Sequence, residues 1–309
     1  MRAITVAVSV ALAIAGQQRP AFRSGVDAVR IDVQVIRDGR PVTGLTTADF
    51  ELRDSNVKQQ IEVVSLEQQP IDVLFAFDTS ESMTGEPLAT LKEAAHAAVG
   101  TLAKDDRTAL LTFSHALSRR SGWTDDRARI TGAIDSAVAN GATSLQDAVL
   151  AACTLRESAR GRMLVLLFSD GMDTISWLDP LRSLDQARRT DAVFDGVSMP
   201  PPHVSPPGVT PGPAPRPLPD AVTTRWFLEE PVLFRQEFLR VLAQETGGDM
   251  ITATSPTLRD TFVRIVTLFK TRYVLSYVPK GVGAQGWHPI DVRLTHGAAD
   301  IRARRGYQR

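Results

Sequence analysis

Residues 71–84 have the sequence IDVLFAFDTSESMT. Its apolar run, residues 73–77, ends abruptly at Asp78, and hydroxyl groups follow at Ser80 and Ser82. A short apolar run bounded by polar residues is typical of a strand buried on both faces of a parallel sheet. Open α/β sheets bind their ligands at the carboxyl ends of such strands. One carboxylate and two hydroxyls at alternate positions are oxygen ligands of the kind that Mg²⁺ prefers.

Strand and helix patterns alternate through residues 71–270, which predicts an α/β fold with a doubly wound, mostly parallel, Rossmann-like sheet. The predicted strands are residues 73–77, 108–113, 163–168, 192–197 and 250–251, with a short one near Trp123. The predicted helices are residues 87–102, 126–139, 144–159, 179–189, 232–245 and 257–270. Residues 199–220 interrupt the pattern, because so proline-rich a segment cannot form a packed helix or an inner strand. We expect an exposed insertion there.

The two flanks of this region have strand patterns. Residues 20–70 contain runs at 29–36, 50–53 and 61–66, with a turn at 54–56, and predict a small β unit. The C-terminal segment 271–309 contains β-like runs at 273–278, 290–295 and 301–304. Because chain termini often lie close together, we expect this segment to pack on residues 20–70.

Residues 1–15 have the pattern of an export signal, with Arg2 before an apolar core and small residues at Ala13 and Ala15. A core of about 13 residues is too short to cross a bilayer, which needs about 20. The sequence therefore predicts a secreted or periplasmic protein with no transmembrane segment after signal removal. Equal totals of 35 basic and 35 acidic residues argue against a nucleic-acid partner.

Two further positions complete the oxygen donors of the 71–84 stretch. Thr143 lies in Gly-Ala-Thr-Ser-Leu just before a predicted helix, and Asp170 follows the apolar strand 163–168. If strands 73–77 and 163–168 are neighbours where the winding of the sheet reverses, Asp78 and Asp170 meet in the crevice at that point.

These residues resemble the von Willebrand factor A (VWA) domain family. Asp78, Ser80 and Ser82 match its DxSxS signature, Thr143 matches the threonine of a later loop, and Asp170 matches the aspartate after the fourth strand. The resemblance implies a metal-ion-dependent adhesion site (MIDAS) made of these five residues. It implies Mg²⁺, with Mn²⁺ or Ca²⁺ as alternatives, and a protein partner that offers a carboxylate to the ion. The flanks, residues 39–51 and 302–307 among them, resemble a bacterial, acidobacterial-type group of exported VWA proteins.

Two other functions compete with metal-dependent adhesion. A cell-envelope scaffold could use the same fold for assembly while its metal site stays empty. A Mg²⁺-dependent phosphotransferase of the haloacid-dehalogenase type also places an aspartate after an apolar strand. That enzyme chemistry requires a second acid two residues after the aspartate, where this chain has Ser80. We therefore expect a binding protein and no catalytic residues. Two further acids near the site, Glu81 and Asp173, are interpreted as solvated loop charges.

Overall fold

The computed structural model of the protein describes residues 28–64, 70–199 and 234–309. The predicted export signal and residues 200–220 of the proline-rich segment lie outside these ranges. No helix within them is both long enough and apolar enough to cross a membrane.

In chain order, the elements are β1 (Val29–Arg37), β2 (Arg40–Pro41), β3 (Phe50–Asp54), β4 (Val57–Gln59), β5 (Ile61–Val64), β6 (Ile71–Asp78), α1 (Glu86–Gly100), β7 (Arg107–Phe113), β8 (Leu117–Thr124), α2 (Arg127–Asp135), α3 (Leu145–Leu155), β9 (Arg162–Phe168), α4 (Pro180–Arg189), β10 (Val193–Ser198), α5 (Phe234–Thr246), β11 (Met250–Thr252), α6 (Ser255–Lys270), β12 (Tyr273–Tyr277), β13 (Trp287–Leu294), β14 (Asp300–Ala303) and β15 (Gly306–Gln308).

A six-stranded sheet forms the centre of the molecule, with strand order β11-β10-β9-β6-β7-β8. Every pair is parallel except β7 and β8, which are antiparallel. The chain leaves β6 toward β7 and β8 and then crosses back to β9 on the other side of β6. The winding therefore reverses at β6 and β9, where a doubly wound sheet opens its ligand crevice. The predicted fold class is confirmed.

Helices cover both faces of this sheet, and the alternation of β6 divides the core between them. Val73, Phe75 and Phe77 pack on the side that holds α1 and α6. Leu74 and Ala76 pack on the side that holds α3, α4 and α5. Because successive side chains of a strand point to opposite faces, an apolar run without polar interruptions is what a strand covered on both sides requires.

The flanking β unit joins both ends of the described chain. One of its sheets has the order β14-β1-β12-β5, with β2 paired to β1, and the other has the order β15-β13-β3-β4. Residues from both sheets, such as Ile31, Leu52 and Leu275, share one apolar core. The C-terminal strands pair with the N-terminal ones, β12 with β1 and β13 with β3. The predicted small β unit built from the N- and C-terminal segments is therefore confirmed as part of the fold, whereas its predicted bounds, 20–70 and 271–309, stay a prediction.

Arginines attach this β unit to the amino-terminal edge of the central sheet. Arg162, the first residue of β9, contacts Asp32 of β1 with 2.6 Å between Nη1 and Oδ1. Arg302 of β14 contacts Asp249, just before β11, at 2.5 Å. Buried Arg272 donates a 2.7 Å hydrogen bond to the Gly247 carbonyl. These contacts lie at the end of the sheet opposite the loops that follow β6 and β9, so they leave those loops uncovered.

Some boundaries differ from the sequence predictions. The helix predicted over 126–139 ends at Asp135, and the one predicted over 144–159 ends at Leu155, where a short 3₁₀ turn follows. The turn at 54–56 connects β3 to β4 and not to the strand that begins at Ile61. Strands β4 and β15 were not predicted. Both have three residues, too few for a periodic pattern, and their partners β3 and β13 determine them.

Candidate metal centre

Asp78 is the last residue of β6, and it is buried at the point where the winding reverses. Its Oδ1 accepts a 2.9 Å hydrogen bond from the backbone N–H of Ser80. Its Oδ2 accepts another of 2.9 Å from the hydroxyl of Ser169, the residue that follows β9. The carboxylate therefore joins the ends of the two strands that line the crevice.

The two serines of the 71–84 stretch lie side by side just beyond Asp78. Their Oγ atoms are 3.1 Å apart. Ser80 is buried, whereas Ser82 is exposed in the 3₁₀ turn Glu81–Met83. A cation that contacted both oxygens would have protein on one side and solvent on the other.

The loop that holds Thr143 is joined to the loop after β6 by two backbone hydrogen bonds. The N–H of Asn140 donates to the Thr79 carbonyl at 2.8 Å, and the N–H of Glu81 donates to the Gly141 carbonyl at 2.9 Å. Gly141 has a φ of +72° and lies against the His115 ring, so close that an added Cβ would be 2.2 Å from Nδ1. A left-handed, closely packed position favours glycine, and it brings the chain around toward Thr143.

Thr143 is buried and is held from the other side by the loop after β9. Its carbonyl accepts hydrogen bonds from the N–H groups of Thr174, at 2.9 Å, and Ile175, at 3.2 Å. Its own N–H donates to the Thr174 hydroxyl at 2.9 Å. All of these contacts use the Thr143 backbone, so they leave its side-chain hydroxyl for another partner.

Asp170 is half-buried at the end of β9 and uses one oxygen, Oδ1, to accept a 2.9 Å hydrogen bond from the Met172 N–H. Its charge acts on Asp78. Burial raises the pKa of Asp78 to about 6, hydrogen bonds from Ser80 and Ser169 oppose the rise, and the negative charge of Asp170 adds to it. A buried carboxylate whose ionisation is made costly by burial and by a neighbouring acid is stabilised by a nearby cation.

The structure thus brings the loops of all five predicted residues to one crevice. Asp78 and Ser80 are joined directly, Ser82 contacts Ser80, Thr143 lies in a loop bonded to both neighbours, and Asp170 interacts electrostatically with Asp78. Within the described ranges, no group of three or more His, Cys, Asp or Glu residues could hold a metal. That result is compatible with this donor set, because three of its five members are hydroxyl residues.

Two nearby residues have roles that the sequence did not indicate. Ser169 is completely buried, and it holds Asp78 in place. Asp173, interpreted above as a solvated charge, is half-buried instead. Its Oδ2 accepts a 2.8 Å hydrogen bond from the N–H of Gln146, in the first turn of α3. It caps a helix whose first N–H groups lack internal partners. Glu81 is exposed, as expected.

Comparison with known proteins agrees with this geometry. The family model described as von Willebrand factor type A domain matches residues 73–172, from β6 past Asp170. No curated protein sequence matches the chain closely enough to count as a relative.

Solved structures share the fold at low identity. A von Willebrand factor type A protein from Catenulispora acidiphila is 13% identical with a TM-score of 0.52, over 86% of this chain and 74% of that one. The vWF domain of the type V pili tip protein Mfa5 from Porphyromonas gingivalis is 13% identical with a TM-score of 0.50, over 66% and 95%. Proximal thread matrix protein 1 from the mussel byssus, with a zinc-occupied MIDAS motif, is 18% identical with a TM-score of 0.50, over 71% and 50%.

At such identities the solved structures establish the fold alone, whereas the family model also matches the sequence from β6 to the loop after β9. The matched residues include most of β6, all of β9 and residues of the loops that follow these two strands, which line the crevice. The chain therefore contains a von Willebrand factor type A domain, which the family match locates at residues 73–172.

Proposed function

We propose that this chain is an exported, non-enzymatic binding protein whose VWA domain holds a divalent cation and uses it to bind an acidic side chain of a partner protein. The observation that carries the proposal is the meeting of the Asp78, Thr143 and Asp170 loops at the reversal of the sheet. We further propose a division into a signal at 1–15, a VWA domain over 71–270 and a β unit from the two flanks.

The residues that would hold the ion are Asp78, Ser80, Ser82, Thr143 and Asp170. We propose Mg²⁺, with Mn²⁺ or Ca²⁺ as alternatives, because all five offer hard oxygen atoms. The mussel protein has zinc in its MIDAS motif, which supports a divalent cation more generally. The bound ion would supply a Lewis-acid position for one more oxygen. Hydroxyl donors carry no charge, so the ion would keep most of its attraction for a carboxylate.

Binding is favoured over catalysis by the residues around Asp78. A phosphotransferase needs an acid two residues after its aspartate to move a proton, and Ser80 at that position makes a hydrogen bond with Ser82 instead. The groups that donate hydrogen bonds to Asp78 are the Ser80 N–H and the Ser169 hydroxyl, neither of which is a general base.

A scaffold whose site stays empty is the second candidate. It is favoured by one observation: both oxygens of Asp78 accept hydrogen bonds from protein groups, the Ser80 N–H and the Ser169 hydroxyl. Against it stands the raised pKa of Asp78, because a buried carboxylate beside a second acid is costly in the absence of a cation.

The proposal is tested by partner capture on the immobilised full chain. Proteins of the native cell envelope are passed over the chain in Mg²⁺ and eluted with EDTA. We expect a retained protein that EDTA releases and that neither Asp78→Ala nor Thr143→Ala retains. The control variant is Glu81→Gln, which changes an exposed acid of the same loop and is expected to behave as wild type. If a protein stays bound in EDTA and is also retained by Asp78→Ala, the scaffold is favoured.

A further inference from the structure

The loops around the candidate metal centre carry exposed apolar side chains. Nine large apolar residues are exposed in the described ranges. Five of them lie on segments that leave the carboxyl edge of the central sheet, the edge that holds the candidate centre: Leu117, Val138, Ile175, Trp177 and Leu181. Solvent-exposed apolar residues are normal when scattered, whereas a group at one edge indicates an interaction surface.

Trp177 stands out within this group, because 99% of it is exposed. Its loop is nevertheless held firmly. The N–H of Trp177 donates to Asp147 Oδ2 at 3.1 Å, and the N–H of the next residue, Leu178, donates to Asp147 Oδ1 at 3.0 Å. Asp147 lies in the first turn of α3, so the Trp177 backbone is fixed to a regular element while its side chain is exposed.

The same loop is bonded to a predicted metal ligand. The N–H groups of Thr174 and Ile175, three and two residues before Trp177, donate to the carbonyl of Thr143. Two residues of extended chain span at most about 7 Å, so the Trp177 backbone lies within that distance of Ile175, which is bonded to the Thr143 loop. A partner that reached the candidate cation would therefore approach the loop that carries Trp177.

We infer that Trp177 is the apolar anchor of the partner-binding surface, and that the partner presents a large apolar side chain next to the carboxylate that reaches the ion. This inference rests on the proposed function, whose metal centre it extends. A tryptophan buries a large area at little cost in side-chain freedom, and such residues dominate the affinity of protein interfaces. The carboxylate would give the interaction its metal dependence, and the apolar neighbour would give it selectivity among acidic sequences.

The test uses an array of synthetic twelve-residue peptides with a central Asp. The residue at each of the three positions on either side is varied between Leu, Phe, Ser and Gln. The labelled full chain is applied in Mg²⁺ and in EDTA. Wild type is compared with Trp177→Ser and with Val57→Ser, which changes an exposed apolar residue of β4 in the β unit. Thermal melting of each variant shows that it is folded.

We expect wild type and Val57→Ser to bind peptides with a Leu or Phe near the Asp, in Mg²⁺ only. Trp177→Ser should lose about tenfold in affinity for these peptides and bind the Ser and Gln peptides as wild type does. Two results would overturn the inference and leave the proposed function standing. In the first, Asp peptides bind in a Mg²⁺-dependent manner but show no preference for apolar neighbours. In the second, the apolar preference is present and Trp177→Ser keeps it.

Two other outcomes separate the inference from the proposed function. If no Asp peptide binds in a Mg²⁺-dependent manner, the proposed function fails and the inference fails with it. If sedimentation shows that wild type forms a dimer and that Trp177→Ser is a monomer, the surface is covered by a second copy of the chain, and the inference about an acidic partner is wrong.

Discussion

The hydroxyl of Ser169 donates a 2.9 Å hydrogen bond to Oδ2 of Asp78, across 91 positions of sequence. The bond joins the ends of β6 and β9, the two strands between which the winding of the sheet reverses. Ser169 also accepts a 3.1 Å hydrogen bond from the Gly171 N–H, which holds the chain on both sides of Asp170. One buried serine therefore positions both carboxylates of the candidate metal centre.

We predict that Ser169→Ala weakens metal binding without removing a proposed ligand. The change removes a hydrogen bond that favours the ionised form of Asp78, and loss of such supporting contacts typically costs about 10–100-fold in metal affinity. Titration of Mn²⁺ into wild type and the variant measures the effect. The matched control is Ser198→Ala, at the end of the neighbouring strand β10. The Ser198 hydroxyl is buried and makes no hydrogen bond to any described residue, so its loss should leave the affinity unchanged. Equal affinities for Ser169→Ala and wild type would contradict the positioning role.

We predict that Asp78→Asn stabilises the metal-free protein at neutral pH. Burial raises the pKa of Asp78 to about 6 in the folded chain, above its ordinary value of 3.8. The folded state therefore binds a proton more tightly than the unfolded state, and the stability that goes with this proton is present below pH 3.8 and is lost as the pH rises through 6. The loss above pH 6 is roughly 3 kcal/mol, of which a neutral Asn recovers part, about 1–3 kcal/mol.

Urea unfolding in EDTA at pH 7.5 and pH 4 checks this prediction. The variant should be more stable than wild type at pH 7.5, and the difference should disappear at pH 4, where Asp78 is protonated in wild type. In Mg²⁺ at pH 7.5, wild type should gain stability and the variant should not. A variant that is less stable than wild type in EDTA at pH 7.5 would show that the charge of Asp78 is not costly.

We predict that Asp54→Asn destabilises the β unit. Asp54 is completely buried and accepts hydrogen bonds from the hydroxyls of Tyr277 and Tyr307, both at 2.8 Å, and from His288 at 2.9 Å. Burial acts to raise the pKa of Asp54, but these bonds together hold it below its ordinary value. An amide cannot accept all of them, so the free energy of unfolding should fall by about 2–4 kcal/mol at pH 7.

Chemical unfolding compares this variant with Asp291→Asn, an exposed aspartate of β13 paired with exposed Arg293. The control should change stability by less than about 0.5 kcal/mol. Because a lowered carboxyl pKa adds stability above the unfolded pKa that is lost as the pH falls, the difference between Asp54→Asn and wild type should shrink toward pH 3. A difference that stays constant down to pH 3 would mean that the charge of Asp54 contributes nothing.

The central sheet could be predicted from sequence because burial on two faces leaves an uninterrupted apolar run. Residues 73–77 and 163–168 are such runs, and both became strands of the sheet interior. The loops that carry Asp78, Thr143 and Asp170 could also be placed, since the ends of parallel strands lie at one edge. Family resemblance then supplied the metal and the partner, which the residues alone left open.

The parts that could not be predicted depend on contacts between distant residues. Asp54 looked like a simple turn residue, and its role depends on Tyr277 and Tyr307, more than 220 positions away. Asp173 looked like a free charge, because nothing in its own segment shows that the N-terminus of α3 lies beside it. Ser169 had one available signal, its position directly before Asp170 at the end of an apolar strand.

We propose that Asp78 belongs to a divalent cation site. Calorimetric titration of Mg²⁺ and Mn²⁺ into the full chain measures this binding, with Asp78→Ala beside Glu81→Gln as the control from the same loop. We predict saturable binding of one ion by wild type and by Glu81→Gln, and no binding by Asp78→Ala. Equal heats for wild type and Asp78→Ala would contradict the claim.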